Sequence, residues 1–173
     1  MTDRNEDGET DENAAAGATD GDDPSESPRT GVFVAETEAE RDDAFSIRRE
    51  VFVEEQGVAE ELEWDEHDEP DADATHLVAY DDDTVVGAAR IRAYDAETAK
   101  VERVVVAEDR RGEGWGRRVM AAAEREAREV GFSRVRLNAQ RRVQPFYESL
   151  GYSAFGDEFD DAGIPHIAMQ KSL

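Results

Sequence analysis

A turn with three glycines in alternation, Arg111-Gly112-Glu113-Gly114-Trp115-Gly116-Arg117, lies between the apolar run Val101 to Ala107 and a helical run from Trp115 to Val130. A strand, a glycine-rich bend and a helix in that order constrain the fold strongly, because the first N–H groups of a helix have no partner within it. Together with the helix dipole they present positive partial charge to an anion. Gly112, Gly114 and Gly116 keep side chains away from such an approach, and Arg110, Arg111, Arg117 and Arg118 add cations around it. A phosphorylated ligand is the expectation. The dinucleotide pattern G-x-G-x-x-G fails, since Arg117 stands where the third glycine belongs, and no G-x-x-x-x-G-K-[ST] occurs.

About thirty residues later comes Pro145-Phe146-Tyr147-Glu148-Ser149-Leu150-Gly151-Tyr152. The pair of motifs, R-G-x-G-x-G opening a helix and F-Y-E-x-L-G-Y after the next strand, resembles the GNAT N-acetyltransferase superfamily. Val51-Phe52-Val53-Glu54-Glu55-Gln56, Arg103-Val104-Val105-Val106, Ala139-Gln140 and Gly163-Ile164-Pro165-His166-Ile167-Ala168-Met169 are similar to its ElaA-type subgroup. The resemblance covers nearly everything after residue 31. It implies an α/β fold of the GNAT acyl-coenzyme A N-acyltransferase kind, a mixed twisted sheet of six to seven strands flanked by about four helices.

Composition divides the chain. Residues 1–30 contain no aromatic, Val, Ile or Leu and cannot bury enough apolar surface to offset their ordering entropy. They are expected to be a disordered acidic tail before one domain, residues 31–173. The tail has neither the basic start nor the apolar stretch of a signal peptide, and no run approaches a membrane span, so a soluble cytoplasmic protein is expected. Cysteine is absent, which excludes thiolate catalysis and cysteine metal sites. The net charge of -24 disfavours nucleic acid and anionic membrane as partners. It reads as adaptation to the salty cytosol of a halophile, with an acidic partner-binding surface as the alternative, and predicts that folding and activity rise with molar KCl.

Periodicity places a strand over Val32 to Glu36, a helix over Ala39 to Glu54, and a hairpin of Thr75 to Tyr80 and Thr84 to Ala93 joined by three aspartates. Further strands are read at Lys100 to Ala107, Arg134 to Asn138 and Ile164 to Met169, with helices at Trp115 to Val130 and Val143 to Leu150.

Carried onto these positions, the resemblance implies that acetyl-coenzyme A is the co-substrate and lies where two parallel strands splay apart. Val104, Val105 and Val106 then meet it through the main chain, Arg111, Gly112, Glu113, Gly114, Trp115, Gly116 and Arg117 form its phosphate turn, and Gln140 touches it. Tyr147 matches the residue that protonates the departing thiolate, a task suited to a phenol that holds its proton at neutral pH. Glu102 occupies a glutamate position used as general base; His76, His166, Glu50, Glu54 and a water chain are the alternatives. No metal is expected. The carboxylates Glu63, Asp65, Asp68, Glu69, Asp71 and Asp73 around Trp64 and His67 read as a solvated loop, or with Glu54 and Glu55 as a negative mouth for a cationic amine; a metal site fits their crowding poorly. The expected activity is direct transfer of acetyl to a primary amine of a small molecule or peptide in a ternary complex, by a monomer or homodimer. A non-catalytic acyl-coenzyme A sensor is the competing reading.

Overall fold

The computed structural model describes residues 26–173. The expected tail, apart from residues 26–30, lies outside the described residues. Seven strands form one mixed sheet in the order β1-β2-β3-β4-β5-β7-β6. They are β1 (Gly31–Val34), β2 (Ala74–Asp81), β3 (Thr84–Ala93), β4 (Thr98–Val106), β5 (Arg134–Gln140), β6 (Ser153–Asp161) and β7 (Ile164–Ser172). The helices are α1 (Glu38–Arg48), which continues as a π-helix over Arg49–Glu55, then α2 (Glu60–Glu63), α3 (Trp115–Val130) and α4 (Gln144–Ser149). None of the described helices is long and apolar enough to cross a membrane.

Local signals account for most boundaries. Thr37 and Glu40 close a reciprocal capping box at the start of α1. Gly131, at φ 111°, ends α3 by turning its N–H back to Ala127 and Arg128 carbonyls. Asp82 and Asp83 both take positive φ between β2 and β3, the backbone that a two-residue hairpin turn requires.

The two faces of the sheet bury different helices. Trp115, Val119, Met120, Ala123 and Ala127 of α3 pack on Leu77, Val86, Ile91, Val101, Val135 and Leu137. On the other face, Ala44 and Ile47 of α1, with Val51 of the π-helix, cover Val78, Tyr80, Ala88 and Val105. Fully burying such a side chain stabilises the fold by roughly 1.5–3 kcal/mol, which is what fixes the helices against the sheet.

Strand β4 carries two irregularities. Opposite the single residue Ala89 of β3 stand two residues of β4, Arg103 and Val104, and Arg103 takes φ 55°. This is a bulge, which increases the local twist, and pairing with β3 resumes above it at Val105 and Val106. Parallel pairing of β4 with β5 is confined to Thr98–Lys100 against Arg134–Arg136. Above that the strands diverge.

The observed boundaries correct the expected ones in three places. The helix starting near Ala39 changes to π geometry at Arg49, the last strand runs on to Ser172, and β6 is a strand that periodicity does not mark.

Candidate functional site

The divergence of β4 and β5 opens a cleft of about 830 Å³. Val101 to Val106 form one wall, Leu137, Asn138 and Gln140 the other, and the turn before α3 stands at its mouth. Phe146 and Tyr147 of α4 and the β6–β7 hairpin from Asp161 to His166 complete it.

The glycines of the turn do two different jobs. Gly112 and Gly114 have φ of 82° and 89°, and a Cβ on either would meet nothing within 4 Å. Their positive φ is a backbone conformation that favours glycine. Gly116 is different, because a Cβ there would lie 3.1 Å from Phe146 Cζ, so its bareness lets α4 approach α3. Gly114 is the N-cap of α3, and no side chain caps the helix. Its leading amides are left to an external acceptor, as a phosphate turn requires.

Two of the four arginines expected around the turn are engaged with carboxylates. Arg110 pairs with Asp81 and with Glu113, and Arg111 donates to both oxygens of Glu55 at 2.5 and 2.7 Å. Arg111 Nε also donates to the Val106 carbonyl at 3.2 Å. Arg118 stacks on Trp115, 4.1 Å from the ring centroid, and Arg117 reaches Ser149 Oγ at 3.4 Å. Trp115 itself is 4% exposed and turned into the core, so only its main chain can meet a ligand. Arg142 escapes sequence reading; it lines the cleft and donates to Gln140 Oε1 at 3.1 Å.

Gln140 also donates to Gln56 Oε1 at 2.9 Å, tying the end of β5 to the end of the π-helix. Val104 and Val106 are half-buried on the cleft, whereas Val105 points into the α1 core. Tyr147 is 7% exposed, and burial raises its phenol above the ordinary tyrosine value. Phe146 and Tyr152 contact it edge-on at centroid distances of 5.0 and 5.9 Å, and no hydrogen bond engages its hydroxyl among the described residues.

Glu102 sits very differently from a general base. Its carboxylate accepts from Arg90 at 2.7 Å and Arg92 at 3.0 Å, and pairs with Lys100 Nζ at 3.0 Å. Burial alone would raise its proton affinity, but the Arg92 and Arg90 guanidiniums outweigh that and hold the carboxyl far below the usual range. Among the alternatives, Glu50 and Glu54 are exposed on the π-helix, outside the residues that line the cleft. His76 is 5% exposed and lies under α1, where burial and Arg48 lower its value to about 4. His166 lines the cleft. Its Nδ1 lies 2.6 Å from the Ile164 carbonyl and must donate to it, which in a neutral ring leaves Nε2 as an acceptor.

The acidic segment divides: Glu69, Asp71 and Asp73 are exposed, as in a solvated loop, while Glu63, Asp65 and Asp68 turn to buried arginines. Arg48 is 0% exposed and Arg90 1% exposed. Arg48 donates to Glu63 at 2.8 Å and Asp68 at 2.7 Å, and Arg90 to Asp65 at 2.7 Å and Asp68 at 2.9 Å. Arg103, made available by the bulge, donates to the Glu63 carbonyl at 3.0 Å and pairs with its carboxylate. Glu63, Asp65 and Asp68 are thus spent inside the protein, fastening the segment that begins at the end of α2 over β3 and β4. Among the described residues, no group of His, Asp and Glu is arranged to hold a metal ion.

Residues 34–173 match the Acetyltransferase (GNAT) domain. The chain belongs to this family. An uncharacterized N-acetyltransferase of Bacillus subtilis, YjcF, is 42% identical over 141 residues, covering 81% of this chain and 98% of its own. The crystal structure of a protein assigned as an N-acetyltransferase from Lactobacillus plantarum superposes with TM-score 0.76 at 31% identity, covering 82% of this chain and 97% of that one. Escherichia coli ElaA superposes with TM-score 0.69 at 29% identity, over 78% and 91% of the two chains. GNAT membership makes this an acyltransferase that draws on acyl-coenzyme A, and the seven-stranded mixed sheet is the architecture its motifs implied.

Proposed function

We propose that the chain transfers an acetyl group from acetyl-coenzyme A to an amine by direct attack within a ternary complex. The observation that carries this reading is the loss of β4–β5 pairing beyond Lys100 and Arg136, with the uncapped turn and Tyr147 on the same cleft. The pantetheine arm pairs with the free edge of β4 at Val104 and Val106, in the way an added strand would. The diphosphate rests on the amides from Gly112 to Arg117, with Arg111, Arg117 and Arg142 supplying charge.

The chemistry then needs three proton transfers. An alkylamine with a pKa near 10.4 is protonated at neutral pH and must lose a proton before it can attack the thioester carbonyl. His166 Nε2 accepts it. Collapse of the tetrahedral adduct breaks the carbon–sulfur bond, the Tyr147 hydroxyl protonates the thiolate, and the tyrosinate so formed is reprotonated by the second proton that the amide nitrogen sheds. Glu102, saturated by three cations, is assigned to holding β3 and β4 together, in place of the base role its position suggested.

Thiol release from acetyl-coenzyme A, measured against amines with His166→Gln and Tyr147→Phe beside the native protein, tests the assignment. Turnover by the native protein, strongly reduced in both variants, is expected. Turnover by the native protein that His166→Gln leaves unaffected would remove the base from this mechanism, and absence of turnover with every amine would remove the transferase.

A further inference from the structure

The path of the coenzyme fixes where an acceptor must lie. The phosphate turn follows the end of β4, so an arm paired first with Val106 and then with Val104 runs back along the strand and carries its thioester toward the bulge at Arg103. On one face of the sheet the space there is filled by the core under α3, to which Val101, Leu137 and Ala139 belong. The acceptor therefore comes from the other face, the one that α1 and the π-helix cover. On that side Arg103 donates to the Glu63 carbonyl at 3.0 Å, which sets the end of α2 beside the bulge. Gln140 reaches the π-helix on the same side, at Gln56, and His166 of β7 stands directly opposite Gln140 and shares its face. Ile164, two residues from His166 along the strand, shares it too.

The walls of this space are apolar. Phe52 of the π-helix, Val58 after it and Leu62 of α2 line the cleft from the helical side, and Ile164 lines it from the hairpin beside His166. Leu62 is 59% exposed, and the ring of Phe159 stacks on His166 at a centroid distance of 5.9 Å. A lone exposed leucine is ordinary, but apolar side chains from three elements converging on one basic nitrogen are the lining of a small-molecule site. The charged side chains of the same space are offset within the protein. Lys100 pairs with Glu102 at 3.0 Å, and Arg103 with Glu63 at 3.1 Å. Besides His166 Nε2 and the exposed Asp161 of the hairpin, the space offers an acceptor chiefly apolar surface.

Resting on the transferase reading above, we propose that the acceptor is a primary amine with an apolar body, an alkyl or aryl group, and that Leu62 and Ile164 select it. The amine turns to His166 and the thioester, while the apolar body covers Leu62, Phe52 and Ile164 and takes their surface out of water. A hydroxyl or a charge on that body would lose its water against a wall that returns no hydrogen bond.

The test compares hexylamine with 5-amino-1-pentanol in thiol-release assays with acetyl-coenzyme A in molar KCl. The two have the same number of non-hydrogen atoms and amines of similar basicity, and differ by a methyl group against a hydroxyl. The expected kcat/KM is higher for hexylamine by about tenfold or more. From propylamine to hexylamine it is expected to rise by up to about fourfold for each methylene buried. Leu62→Asn, at an exposed position, is expected to leave the melting temperature unchanged and to lower the hexylamine preference by about threefold or more. Competitive inhibition against hexylamine by 1-hexanol and not by 1,5-pentanediol is expected of the native protein, a measurement that needs no variant. Equal or faster turnover of 5-amino-1-pentanol, no inhibition by 1-hexanol, or a preference unchanged by Leu62→Asn overturns the proposal while leaving the transferase in place. Turnover confined to other, polar amines does the same, and no turnover with any amine overturns the transferase reading and this one with it.

Discussion

The Arg111 guanidinium reaches across the mouth of the cleft to Glu55, making two hydrogen bonds to one carboxylate and a third to the Val106 carbonyl. Before Arg111 can turn to a diphosphate it must release Glu55. An exposed ion pair of this kind contributes about 1 kcal/mol or less. Glu55→Gln is therefore expected to tighten coenzyme A binding by up to about fivefold in calorimetric titration. Arg111→Gln is expected to weaken it by a similar or larger factor, and weaker binding by Glu55→Gln would show that the clasp does not compete with the coenzyme.

Tyr147→Phe separates chemistry from packing. The ring stays between Phe146 and Tyr152, and the lost hydroxyl has no hydrogen-bond partner among the described residues. The expectation is a melting temperature within a degree or two of native, coenzyme affinity within about twofold, and kcat lower by about 10²–10⁴, the range of general acid catalysis. Steady-state kinetics with a thermal melt checks all three.

Asp68 receives both buried arginines, Arg48 and Arg90. Burial opposes its charge, yet the two guanidiniums bring its value down to about 2. Removing one partner from a buried ion pair strands the other, at about 3–5 kcal/mol. Asp68→Asn is expected to lower stability by about 3 kcal/mol in urea unfolding and to reduce activity, because Arg48, which Asp68 shares with Glu63, fixes a residue that lines the cleft.

Stability should fall on mild acidification, and His76 accounts for the first part of the fall. Its value in the folded protein, about 4, lies below the ordinary 6.5, so the unfolded chain takes up the proton first. Its contribution is complete above about pH 6.5, shrinks as pH drops toward 4, and is on the order of 3 kcal/mol in full. Asp68, also depressed, extends the loss from about pH 4 toward 2. Glu63 acts in the opposite sense, since burial raises its carboxyl despite Arg48, and protonating it relieves that cost. Urea midpoints at pH 7 and pH 5 measure the first step, and His76→Gln is expected to flatten it.

What could be read in the chain was local. The turn at Gly112 to Gly116, helix α3 and Phe146-Tyr147 announce themselves within short windows, and their order implied the fold. Strand β6 did not, because Ser153–Asp161 is mostly exposed and polar and is held by pairing with β7 instead of by alternating apolar residues. Glu63, Asp65 and Asp68 looked solvated because Arg48 and Arg90 join them from 15 to 25 residues away in sequence. The same long-range pairing turned Glu102 from a candidate base into a clamped anion. Arg103 stands in a segment shared with the ElaA-type subgroup, but nothing in an apolar strand run marks it as the residue that bulges at positive φ.

The central claim is that coenzyme A lies between β4 and β5 with its diphosphate on the turn before α3. Backbone amide chemical shifts followed by NMR during titration with coenzyme A test it most directly. Saturable shifts are predicted, largest at the amides from Gly112 to Arg117 and along Val104 to Val106. Saturable shifts centred elsewhere, or none at these amides, would contradict it.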